Sequence, residues 1–80
     1  MKLPENVTAT WASSLADDQL LQAEARLHAE FAKQEKAEKK RAGDRYDMMR
    51  GPEPLMSAWL RWSMVNNETR NRGVVVRRAS

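Results

Sequence analysis

The apolar positions of this chain fall into two helical stretches, separated by a polar run and a glycine–proline break. Ala16, Leu20, Ala23, Leu27, Phe31 and Gln34 recur at intervals of three or four, which draws one narrow stripe along a helix. That helix is expected to start near Ala16. Leu15 and Leu20 have the spacing of a hydrophobic staple, and Gln19 stands where a capping box places its glutamine. Asp17 and Asp18 occupy the first turn, where carboxylates suit the helix dipole. Ala16 is a poor cap, so a slightly earlier start at Ser14 is the alternative. Ala25, Ala29 and Ala32 raise helix propensity around the stripe.

Beyond Phe31 the stripe fades. Residues 33–41 are polar on every side, with Glu35 and Lys39 spaced as a favourable pair. The expectation is a helix that runs on into solvent and is interrupted at Gly43-Asp44. Asp44 is placed to cap a short third helix, and Tyr46, Met48 and Met49 restore apolar character.

Gly51-Pro52-Glu53-Pro54 is the sharpest boundary, because proline is tolerated only in the first turn of a helix. A turn over 50–54 and a second main helix from about Pro54 to Arg72 follow, with Gly73 as its stop. On a helical wheel Leu55, Met56, Ala58, Trp59, Leu60, Trp62 and Val65 cover more than half the circumference. Ser57, Arg61 and Glu68 share the other side with Met64. Residues 1–14 read as an irregular, flexible arm anchored by Trp11. Residues 73–80 read as a basic, valine-rich flexible tail with strand propensity and no second strand to pair with. The fold class expected is all-α, a helical hairpin over 15–72 with two main helices.

Composition adds a reason to expect self-association. A chain of 80 residues buries only about 60% of its unfolded surface, and Leu, Val and Phe together supply only 13 residues, with no Ile. Disulfides and thiolate metal sites are excluded because there is no cysteine, and a single histidine, His28, leaves a zinc site without a second imidazole. The broad tryptophan-bearing face exceeds what the narrow first stripe covers. A homodimeric helical bundle is therefore expected, with Leu20, Leu27, Phe31, Leu55, Met56, Trp59, Leu60, Trp62 and Val65 as the protein interface. A heterologous protein partner is the alternative use of that face.

Candidate chemistry changes the picture little. Asp17 and Asp18 point about 100° apart on a helix, and Glu24 with His28 is more simply a surface pair than an acid–base dyad. No phosphate loop or metal-ligand spacing is present, so no enzyme activity and no cofactor are expected. No apolar run has the length of a membrane span, and Met1-Lys2-Leu3-Pro4-Glu5 lacks the core of a secretory signal, so a cytoplasmic protein is expected.

Charge is uneven. The sequence runs from a net −3 over residues 1–32 to +3 over 33–50 and +3 over 51–80. Lys33, Lys36, Lys39, Lys40 and Arg41, with Arg77 and Arg78 in the tail, are the candidate nucleic-acid contacts. Four carboxylates interleaved in the middle segment weaken that field. The function expected first is a small protein-binding regulator or adaptor. By analogy of size and style alone, such chains occur among bacterial and phage accessory proteins that bind and inhibit a host component. A nucleic-acid-associated protein and a structural subunit of a larger assembly are the alternatives.

Overall fold

The computed structural model describes residues 3–47 and 51–76. Met48, Met49 and Arg50, expected at the end of the polar segment, and Arg77 and Arg78 of the basic tail lie outside the described residues. Three α-helices make up most of the described chain, with no strand among the described residues: α1 (Ala9–Ser13), α2 (Asp17–Ala42) and α3 (Glu53–Arg72). A 3₁₀ turn, Gly43–Arg45, follows α2.

Each helix end has a local cause. Ala16 caps α2 without a side-chain oxygen, so only half of a capping box forms: Ala16 N–H donates to Gln19 Oε1 at 3.2 Å. Asp17 and Asp18 fill the first turn. Gly43 leaves α2 at φ +58, where a side chain would be strained. Pro52 caps α3 and Pro54 sits in its first turn, where a missing N–H costs nothing. At the far end Gly73, at φ +70, donates to the Arg70 carbonyl at 3.1 Å, and Val74 N–H reaches the Thr69 carbonyl at 2.9 Å. This pair of bonds is a Schellman termination.

The core has two parts. Leu20, Ala23 and Leu27 of α2 pack with Val65 of α3 and Ala12 of α1, while Phe31 of α2 packs with Leu55 and Ala58 of α3. Early α2 thus meets late α3, and later α2 meets early α3. Trp62 bridges the two clusters. The longest dimension of the molecule is 39 Å, the length that a helix of 26 residues reaches at about 1.5 Å per residue.

The N-terminal segment departs from the irregular arm expected over 1–14. Thr8 Oγ1 accepts from Trp11 N–H at 3.0 Å and starts α1, and Ala12 is fully buried. Leu3, Val7, Trp11 and Leu15 all pack on the first core cluster. Five residues are too few to make a helix in isolation, so tertiary burial and the Thr8 cap are what stabilise this one. At the other end, Val74–Val76 form no strand, and Val75 is 69% exposed.

Candidate functional site

Most of the expected interface is consumed inside the chain. Leu20, Leu27, Leu55 and Val65 are at most 1% exposed, and Phe31 is buried beside them. Trp59 and Trp62 are half-buried against the second cluster, and Met56 is also half-buried. Of the nine predicted interface residues, Leu60 is the exposed one. The physical reason is the packing of α2 on α3 in both clusters, joined at the first by the ordered N-terminal segment. Leu3, Val7, Trp11 and Leu15 supply the apolar cover that the narrow α2 stripe lacks.

Trp62 shows how the tryptophan face is used. Its ring lies parallel to Phe31, 5.7 Å between centroids, and His28 meets it edge-on at 5.5 Å. Its indole N–H donates to Glu24 Oε1 at 2.9 Å. Glu24 is 1% exposed, so this bond answers part of the hydrogen-bonding demand of a carboxylate taken out of water. Glu24 and His28 therefore meet around an indole, and the sequence pair becomes packing support.

Apart from Val75, the exposed large apolar side chains among the described residues lie on α3. Leu60 is 48% exposed and Met64 36%. Together with Ser57 and Arg61 they form one wall of a groove of about 420 Å³, and Glu5, Asn6, Val7 and Thr8 form the other. Arg61 contributes the unusual atom. Its Nε is shielded from solvent and has no hydrogen-bond partner among the described residues. A buried donor left unmade costs about 1–3 kcal/mol, so an acceptor brought to it would gain more than at an ordinary surface. Sequence reasoning set Arg61 and Met64 on the polar side of α3 and missed the groove. Its second wall comes from a segment read as an irregular arm.

The predicted basic contacts divide. Lys39 pairs with Glu35 at 3.5 Å and its ammonium stands 5.2 Å from the Tyr46 ring centre. Arg41 forks onto Glu38, with Nε 3.1 Å from Oε2. That hydrogen bond, with the nearby carboxylate charge, raises the Arg41 pKa. Lys33, Lys36 and Lys40 are exposed and have no ion-pair partner among the described residues. Tyr46 folds back on α2, donating to Glu35 Oε2 at 2.8 Å. Burial first, then that hydrogen bond and nearby carboxylates, push its phenol up to about 12.

One further cluster was only half legible. Arg72 Nε pairs with Glu68 at 2.6 Å, as the four-residue spacing suggests. The same guanidinium also reaches Asp17 Oδ1 at 3.0 Å and the carbonyls of Ala12 and Ser13 at 3.3 and 3.0 Å. It thereby holds the carbonyl end of α1, the start of α2 and the end of α3 together. The bond to Glu68, then that to Asp17, raises the Arg72 pKa.

Among the described residues no group of three His, Asp or Glu side chains is placed to hold a metal ion, and no helix is long and apolar enough to cross a membrane. Comparison with protein families, with curated proteins and with solved structures finds no match.

Proposed function

We propose that this chain is a small, non-enzymatic protein-binding adaptor or regulator that receives a segment of another protein in the groove beside α3. The observation that carries the reading is a groove lined by exposed Leu60 and Met64 together with Arg61, whose shielded Nε has no hydrogen-bond partner among the described residues. Methionine and arginine are enriched at interface cores, and a charge-assisted hydrogen bond is stronger than a neutral one. The segment that fits carries an apolar side chain for Leu60 and Met64 and a carboxylate for Arg61. In this reading α2 and α3 act as an antiparallel hairpin whose rigidity presents the groove.

Size argues for another protein's segment over a second copy of the chain. A stable interface buries about 1,200 Å² or more in total. The apolar face expected to supply it is largely committed to the chain's own core. A groove of about 420 Å³ has room for a few side chains of a docked segment.

Selection from a displayed peptide library on the immobilised chain tests the reading. Enriched peptides are expected to share an Asp or Glu beside an apolar residue. Their affinity should fall at least about tenfold with Arg61→Gln, the loss of a hydrogen bond to a charged group, and again with Leu60→Ser. Peptides without a carboxylate, or peptides that bind those variants as tightly as the wild type, would overturn it. A stable dimer in light scattering that Leu60→Ser dissociates would hand the groove to a second copy.

A further inference from the structure

We propose that Lys33, Lys36 and Lys40 form a second, separate surface that binds the phosphate backbone of nucleic acid. In sequence the middle segment mixes lysines with carboxylates, and its field looks self-cancelling. The fold sorts them. At about 100° per residue the three lysines fall within an arc of about 60° on α2, and Glu35 and Glu38 project from roughly the opposite side.

The inner carboxylates are already occupied. Glu38 is 8% exposed and held by Arg41, while Glu35 is engaged by both Lys39 and the Tyr46 hydroxyl. Two cations of the run are thus paired with these carboxylates, and three are left outward with no carboxylate among them. Glu30, at the edge of the stripe, receives the Gln34 amide at 3.5 Å. Arg26 extends the line by one heptad and already has an interaction within the chain.

An outward stripe of this kind works against the helix. Lys33 with Lys36 and Lys36 with Lys40 are like charges three and four apart, spacings at which repulsion destabilises a helix. A polyanion removes that repulsion. Lys33 to Lys40 spans about 10 Å along the helix, about three phosphate steps of one strand at 3.4 Å each. A membrane surface fits less well. The stripe interleaves with Ala29 and Ala37 and offers no large apolar side chain to enter the acyl boundary.

The test is fluorescence anisotropy of labelled mixed-sequence duplexes, DNA and RNA, titrated with the full chain across a salt series. Three neutralised phosphates give a salt slope of about −2.7, so affinity should fall about 40-fold for a fourfold rise in salt. Lys33→Gln with Lys36→Gln and Lys40→Gln should flatten that slope and abolish binding at moderate salt. A variant with the same net charge, Lys39→Gln with Arg45→Gln and Arg70→Gln, should retain most of the affinity. Circular dichroism of both variants checks that the helices persist. The proposal is overturned by no duplex binding at low salt, by equal loss in the two variants, or by binding to phosphatidylserine vesicles without binding to either duplex. Peptide binding in the groove is read independently of these results.

Discussion

Trp62 and Tyr46 carry two of the chain's polar commitments, and both are open to direct measurement. Trp62 answers the buried Glu24 through its indole N–H. Trp62→Phe keeps an aromatic ring against Phe31 and removes that donor. It should cost about 1–3 kcal/mol in urea unfolding, since part of a buried carboxylate's hydrogen bonding is lost. Tyr46 is the chain's one tyrosine, so its phenolate absorbance reports a single site. Its pKa in the folded chain is pushed up to about 12 from an ordinary value of 10.0. Between these values the folded chain keeps a proton that the unfolded chain releases. The stabilisation from Tyr46 is therefore full below about pH 10 and lost as pH rises toward 12. Tyr46→Phe should flatten that alkaline loss, and an ultraviolet titration midpoint near 10 in the folded chain would contradict the contact with Glu35.

At the level of elements, the two long helices were legible because their causes are local. A stripe at three- and four-residue spacing, two aspartates at a start, a proline in a first turn and a glycine at a stop lie within a few residues of one another. Helix α1 was not legible. Its five residues carry no periodic stripe, and its stability comes from Val65, Leu20 and Leu27, far away in sequence. The same distance hid Arg72, whose pairing with Glu68 is local and whose bonds to Asp17, Ala12 and Ser13 are not. Arg72→Ala should therefore loosen α1 first. Hydrogen exchange at Ala12 and Ser14 should speed up while the middle of α2 stays protected. Arg72→Lys should rescue little of this, because an ammonium lacks the planar fork that spans four acceptors.

On the scale of the whole molecule, the order of the N-terminal segment decided which surfaces were left over. The sequence holds the nine apolar residues read as an interface, and Leu3, Val7, Trp11 and Leu15 arrive to cover part of them, the cluster of Leu20, Leu27 and Val65. Helical spacing alone separates the lysines from Glu35 and Glu38 along α2, but a linear run does not show that Tyr46 returns to Glu35 or that Glu38 turns inward. One consequence concerns the groove itself. Residues Glu5 to Thr8 form its outer wall, and that wall is held in place through α1 and the Arg72 bonds. The groove is then a property of a closed population and not of α3 alone. A ligand in it would bind with an apparent dissociation constant equal to the intrinsic one divided by the closed fraction, and by reciprocity it would raise that fraction. A chain in which the segment stands open half the time would bind about twofold more weakly with every groove residue intact. Any modification or partner that freed α1 would thus act as a remote control on Leu60, Arg61 and Met64.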